Sequence, residues 1–185
     1  MRLSLDHHAS PIGAILTVTD ADGCLRALDF LDYESRMHRL LRLHYGTYIL
    51  TDSPRDQRVA AALAAYFEGY LDALGDLPVR TAGTDFQREA WAALRTIPAG
   101  GTVSYRELAV RLGRPGASRA VGLANGANPV AIVVPCHRVI GSDGALTGYG
   151  GGLHRKEWLL AHESRRGGRE LNSSRHETDT PSTTD

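Results

Sequence analysis

The chain has 185 residues, 42% hydrophobic and 23% charged, with 21 basic against 21 acidic side chains. That mixture excludes a wholly disordered, fibrous or membrane-spanning protein, since no apolar run approaches the ~20 residues needed to cross a bilayer. Two cysteines, Cys24 and Cys136, cannot build a disulfide framework, and the opening Met1-Arg2-Leu3-Ser4-Leu5-Asp6 lacks the apolar stretch of a secretory signal, so a cytoplasmic protein with free thiols is expected. In chain order, Ile12 to Thr19 and then Leu25, Leu28 and Phe30 flank the turn-rich Asp20-Ala21-Asp22-Gly23, which predicts a β-hairpin and with it a small sheet. Ser53-Pro54 offers an N-cap and first helical position for a helix with Val59, Leu63, Phe67, Tyr70 and Leu74 on one stripe, expected to cover the sheet. The run from Leu77 to Gly83 is the candidate linker.

Beyond it the pattern changes to short helices. Thr84-Asp85-Phe86-Gln87 and Ser104-Tyr105-Arg106-Glu107 each fit a capping box, the first ahead of Ala90, Trp91 and Leu94, the second ahead of Leu108 and Leu112. Gly113-Arg114-Pro115-Gly116 then separates the second helix from Ala117 to Ala127, giving helix, turn, helix. Such a pair is either a plain helical hairpin or a DNA reader. The last helix is built from small residues, Ala117, Ser118, Ala120, Gly122, Ala124, Gly126 and Ala127, with Arg119 its one charge. Its glycines cost helical stability, so they serve either tight packing on a neighbouring helix or close approach to a narrow surface such as a minor groove. Charge is also uneven along the chain: residues 1–80 carry eight arginines against eleven acids, net −3, and residues 81–161 carry nine bases against five acids, net +4. A local positive field of that kind suits phosphate attraction even in a neutral chain.

The chemistry concentrates after Asn128-Pro129, where Val130-Ala131-Ile132-Val133-Val134 predicts a buried strand leading directly into Pro135-Cys136-His137-Arg138-Val139. An ordinary thiol is a few per cent ionised at neutral pH, so a nucleophilic Cys136 needs a base or a nearby cation; His137 and Arg138 supply both types, the imidazole acting through a water because neighbouring residues of an extended chain face apart. Cys24 has no such neighbours and reads as a core residue. Glu163 closes a predicted helix starting near Leu153 and could support His137 if that helix folds back. Gly148-Tyr149-Gly150-Gly151-Gly152 lacks the marks of a phosphate loop and reads as a lid over a pocket.

Pro135 to Val139, with Gly126-Ala127-Asn128-Pro129-Val130 before it and the Gly148 to Gly152 loop after it, resembles the O6-alkylguanine-DNA alkyltransferase family. The likeness extends through Gly83 to Gln87 with Trp91, Thr102 to Tyr105, Ser118 to Gly122, and Lys156-Glu157-Trp158-Leu159-Leu160 to Glu163; Ser10-Pro11-Ile12-Gly13 looks like the family's opening hairpin. The resemblance implies an α/β (α+β) architecture: a ribonuclease-H-like α/β domain at 1–78 and a mainly helical domain at 79–163 with a winged-helix-like helix-turn-helix. The segment 164–185, rich in Ser, Thr and Asp at its end, is expected as a disordered tail.

The implied activity is stoichiometric DNA repair. The protein would enter the minor groove of double-stranded DNA, flip an O6-alkylguanine, or an O4-alkylthymine, from the duplex, and take the alkyl group irreversibly onto Cys136. Carried over by position, His137, Glu163 and Asn128 form the activating network. Tyr105 turns out the base and protonates the leaving guanine, and Arg119 fills the gap, with Ser118, Ala120 and Gly122 beside it on the DNA. Backbone groups at Val139, Tyr149, Gly150 and Gly151 hold the base. No cofactor is implied, the free protein is expected to be a monomer, and no membrane partner is expected. Some relatives bind zinc through N-terminal cysteines and histidines; Cys24, His7, His8, His38 and His44 show no ligand spacing, so no metal site is expected. Two other readings stay open at this stage: a lesion-binding protein that does not react, and a cysteine hydrolase using Cys136, His137 and Glu163.

Overall fold

The structure, a computed structural model, describes residues 1–52 and 56–173, with side chains as far as Ser164. Strand β1 (Arg2–His8) pairs antiparallel with β2 (Ile15–Thr19), which pairs antiparallel with β3 (Leu25–Phe30), so the hairpin forms where the turn residues put it. The helix α1 (Glu34–Tyr45) then returns the chain to β4 (Ile49–Asp52), parallel to β1, in a sheet of order β3-β2-β1-β4. Side chains alternate across this sheet. Leu3, Leu5, Leu16, Val18 and Ala27 face Met37 and Leu41 of α1, while Ile15, Leu28 and Phe30 face the other way into the larger core.

The helix expected to cover the sheet does something else. α2 (Gln57–Glu68) is capped by Asp56, whose carboxylate accepts from the Arg58 and Val59 amides; Ser53 and Pro54 lie outside the described residues. It ends at Gly69, whose φ of 100° a β-carbon would resist, so Tyr70 and Leu74 belong to the turns beyond it. Val59, Leu63 and Tyr66 of α2 join the larger core, and α1 is the helix that covers the sheet. Cys24, expected in the core, is only half-buried in the β2–β3 turn.

The linker lies against the β3 edge through a Leu25–Val79 bridge. Both capping boxes then form: Thr84 caps α3 (Asp85–Leu94), and Ser104, paired in the short strand β5 (Val103–Ser104), caps α4 (Tyr105–Arg111). After the glycine turn comes α5 (Ser118–Gly126), locked to α3 by the Trp91 indole donating to the Ala124 carbonyl at 2.9 Å. The predicted strand at residues 130–134 is instead a series of turns, with one bridge, Leu28–Val130. Ala131 donates to the Leu28 carbonyl and Leu28 donates to that of Pro129, so the segment borrows its backbone partners from β3. Ile132 is held at φ 67°, a left-handed conformation rare for a β-branched residue. The expectation of burial does hold, since Val130 to Val134 are all covered.

A 3₁₀ turn, Cys136–Arg138, follows, then β6 (Val139–Ile140), parallel to β5, and α6 (Leu153–Ser173). The last helix therefore continues past Glu163 into the segment expected as a disordered tail. Residues 174–185 lie outside the described residues.

Arg155 of α6 fastens this half to the sheet. Its guanidinium donates to both Asp32 carboxylate oxygens (2.9 and 3.0 Å), to Ile12 O (2.8 Å) and to Gly151 O (2.9 Å), and sits 4.1 Å from the Phe30 ring centroid. Asp32 is half exposed, so the ion pair itself contributes little. The carbonyls left unpaired and the lost ring contact carry the cost. Arg155→Ala is expected to lose about 2–4 kcal/mol in urea denaturation.

Candidate active site

Local chain geometry fixes the thiol. Asn128 is buried where α5 gives way to the turns, and its amide is engaged at both atoms: Oδ1 accepts from Val130 N (3.0 Å), and Nδ2 donates to Val134 O (2.8 Å) and Cys136 Sγ (3.2 Å). One side chain thus holds both ends of the turn segment and offers the sulfur a proton donor. Arg36 of α1 donates to the Asn128 and Gly126 carbonyls and pairs with buried Asp29 at 2.6 Å.

Behind the sulfur, His137 and Glu163 are both fully buried, and Nε2 donates to Oε1 at 2.9 Å. A carboxylate can only accept, so that bond sets the tautomer and leaves the Nδ1 lone pair available; Nδ1 has no hydrogen-bond partner among the described residues. Glu163 also accepts from Tyr66 OH (2.7 Å), Gly100 N (3.1 Å), and Arg138 Nε and Nη2 (3.0 and 2.8 Å). Arg138, read from the sequence as a cation for the thiolate, spends its charge on Glu163 and its Nη1 on Ile97 O. The positive charges whose field reaches Cys136 are Arg36 and Lys156.

The electrostatic consequences have definite signs. Burial pushes the Cys136 thiol above its ordinary range, against the opposing pull of the Asn128 hydrogen bond and the Arg36 and Lys156 charges, so the resting group is a thiol. Burial holds His137 below its ordinary range, opposed by Glu163 and reinforced by the Arg138 and Lys156 charges, so the imidazole is neutral at neutral pH. Glu163 stays ionised, since the hydrogen bonds from His137 and Arg138 and the charge of Arg138 overcome its desolvation. A protonated thiol, a neutral imidazole and a fixed carboxylate are the components of base-assisted sulfur chemistry.

Above the sulfur is a cavity of about 260 Å³, lined by Tyr105, Gly122, Asn125, Gly126, Cys136, Gly148, Tyr149 and Gly150. Sites for drug-sized ligands run to ~300–1,000 Å³, so this one suits a single small planar group. A larger open depression between α1 and β4, at Arg42, Gly46, Thr47, Tyr48 and Leu50, is remote from the thiol. The Tyr105 hydroxyl donates to Thr147 O at 3.0 Å, and burial keeps it a phenol. Lys156 ties the wall together, donating from Nζ to Val139 O (2.6 Å), Thr147 O (2.8 Å) and Gly148 O (3.5 Å).

Most residues singled out in the sequence meet here. Cys136, Tyr105, Gly122, Tyr149 and Gly150 line the cavity, and Asn128, His137 and Glu163 stand behind its floor. Two of the residues expected to hold the base do not join them. Val139 donates its N–H to Cys136 O and gives its carbonyl to Lys156, the Gly151 carbonyl accepts from Arg155, and neither residue lines the cavity. Ser118, Arg119 and Ala120 form the outer first turn of α5, with Arg119 exposed. The small residues of α5 divide between the two readings: Ala124 is buried against α3, whereas a β-carbon on Gly122 would touch only Tyr105, at 3.8 Å, and one on Gly126 would meet nothing within 4 Å. Sequence reasoning missed Asn125, Arg36, Tyr66 and the function of Lys156; the one available signal was an amide, Asn125, in a helix of small residues. Among the described residues no group of three or more His, Cys, Asp or Glu could hold a metal, and no helix is long and apolar enough to cross a membrane.

Fold and site together define a helix-turn-helix protein with a buried cysteine, backed by a His–Glu pair, opening on a base-sized cavity. A family model described as the DNA-binding domain of 6-O-methylguanine DNA methyltransferase matches residues 85–165. The chain is 50% identical over 165 residues to the methylated-DNA–protein-cysteine methyltransferase of Salmonella typhimurium, covering 88% of this chain and 96% of that one. Its fold is similar to a crystal structure of the Mycobacterium tuberculosis O6-methylguanine methyltransferase (TM-score 0.74, 40% identity, 93% of this chain and 99% of that chain). It is similar as well to the Mycobacterium tuberculosis OGT protein in complex with DNA (TM-score 0.71, 42% identity, 90% and 94%). The chain belongs to the methylated-DNA–protein-cysteine methyltransferase family.

Proposed function

We propose that the protein repairs double-stranded DNA by taking the alkyl group of O6-alkylguanine, or of O4-alkylthymine, onto Cys136 in a single irreversible step, as a cytoplasmic monomer when free of DNA. We read the chain as a sheet-bearing unit at 1–78 and an acceptor unit at 79–163. The observation that carries the reading is the position of the Cys136 sulfur, at the floor of a base-sized cavity, with an Asn128 N–H on it and a neutral imidazole behind it. The lesion must leave the stack to reach that depth. Arg119, exposed on the first turn of α5, takes its place in the duplex.

His137 Nδ1 receives the thiol proton through an intervening water, with Glu163 balancing the imidazolium. The thiolate attacks the alkyl carbon in line: a C–S bond forms, the C–O6 bond breaks, and its electron pair leaves with guanine, which Tyr105 protonates. A thioether is a poor electrophile and the protein has no means of removing the group, so each molecule reacts once. Intact-mass measurement after incubation with an O6-methylguanine duplex tests this. One added methyl per wild-type chain and none on Cys136→Ala is the expected result; an unchanged wild-type mass, or product released over many turnovers, overturns the reading.

A further inference from the structure

One side chain of the cavity is used by nothing in the protein. Asn125, in the last turn of α5, is only 6% exposed, and neither its Oδ1 nor its Nδ2 has a hydrogen-bond partner among the described residues. Buried amides without partners are costly and rare in folded proteins. Packing does not require one here: its buried neighbours on α5 are Val121 and Ala124, and an apolar residue would fill the position without penalty. Nor does the opposite wall satisfy it: Gly148 and Gly150 have no side chains, the Tyr105 hydroxyl donates to Thr147 O, and the Tyr149 hydroxyl has itself no hydrogen-bond partner among the described residues. The contrast with Asn128, whose amide is engaged at both atoms a few residues on, marks Asn125 as a group kept for something that enters the cavity.

Resting on the function proposed above, we propose that Asn125 reads the ring edge of the extruded base. A carboxamide presents one acceptor beside two donors, so it matches a ring edge on which an amino group neighbours an unprotonated nitrogen. O6-alkylguanine has that edge, its 2-amino group next to a ring nitrogen. Oδ1 accepts from the amino group, and Nδ2 donates to the ring nitrogen. Asn125 is thereby a specificity residue for amino-bearing bases.

The test uses the whole protein and two duplexes, one carrying O6-methylguanine and one O6-methylhypoxanthine, which differ only in the 2-amino group, with single-turnover transfer followed by intact mass. Wild type is expected to favour the guanine lesion about tenfold or more, the usual order for a buried acceptor that loses its donor. In Asn125→Ala the two rates converge, through loss on guanine. Asn125→Asp, which keeps the acceptor and loses the donor, retains the preference while slowing both reactions. Equal wild-type rates overturn the assignment, and so does a folded Asn125→Ala that keeps the full preference; the wild-type comparison stands even if the alanine variant does not fold. Transfer from neither duplex by wild type would defeat the proposed function itself, and this inference with it.

Discussion

Glu163→Ala is expected to cost the fold about 3–5 kcal/mol, the usual penalty for removing one partner of a buried, hydrogen-bonded charge pair. Five donors converge on this carboxylate, from α2, from the turn at Gly100, and from His137 and Arg138 of the nucleophile's own turn. Without it the Arg138 guanidinium remains buried with only the Ile97 carbonyl, and the Tyr66 hydroxyl loses its acceptor. Urea denaturation reads the loss as a lowered midpoint. Linkage makes this contribution depend on pH: the pKa of Glu163 is depressed on folding, so its contribution is present above the ordinary carboxylate pKa of 4.5 and is lost as pH falls below it. Wild-type stability should decline steeply in that acid window and that of Glu163→Ala less so. Equal midpoints for the two proteins at neutral pH would contradict the account.

The second large effect is on the rate of alkyl transfer. With the thiol held protonated and the imidazole neutral, the reactive ion pair is formed by moving a proton between them, so the rate should be level across neutral pH. It should then fall about tenfold per pH unit once His137 is protonated. Burial and the neighbouring cations depress that pKa below the ordinary 6.5, opposed by Glu163, so the fall begins on the acid side of 6.5. The charged and titratable groups facing the ring are Glu163, Arg138, Lys156 and the Tyr149 ring edge. Stability moves in the same direction, because a buried neutral histidine must charge as pH drops below its unfolded value. Single-turnover rates across this range check the prediction; a rate already falling above pH 7 would show that another group supplies the base.

The reading of residues into chemistry succeeded where local rules act alone. Both capping boxes, the hairpin turn and the glycine turn between α4 and α5 are decided by side chains within a few positions of each other, and each formed as its residues dictated. It failed where distant partners decide. Val130 to Val134 has the composition of a strand, but Asn128 and β3 take its backbone groups one at a time and leave no ladder. β1 and α1 drew no expectation from the sequence: β1 shows only two core leucines among polar residues, and α1 carries its Met37, Leu40 and Leu41 among arginines and histidines. The site follows the same division. Cys136 and His137 are adjacent, so their pairing could be read directly, whereas the redirection of Arg138 to Glu163 depends on a helix that closes over it much later in the chain. Arg36, arriving from α1 to hold the Asn128 carbonyl, left no trace in the local pattern.

The bonds between Leu28 and the turn ahead of Cys136 have a further consequence. The amide and carbonyl of Leu28 are taken by Pro129 and Ala131, so the sulfur's position is registered against a strand laid down near the start of the chain. Cutting at the linker would strip four peptide groups of their mates at that seam and bare Val130 and Ile132 to solvent. The nucleophile is therefore mounted on a joint between the two ends of the sequence, and neither end carries it alone.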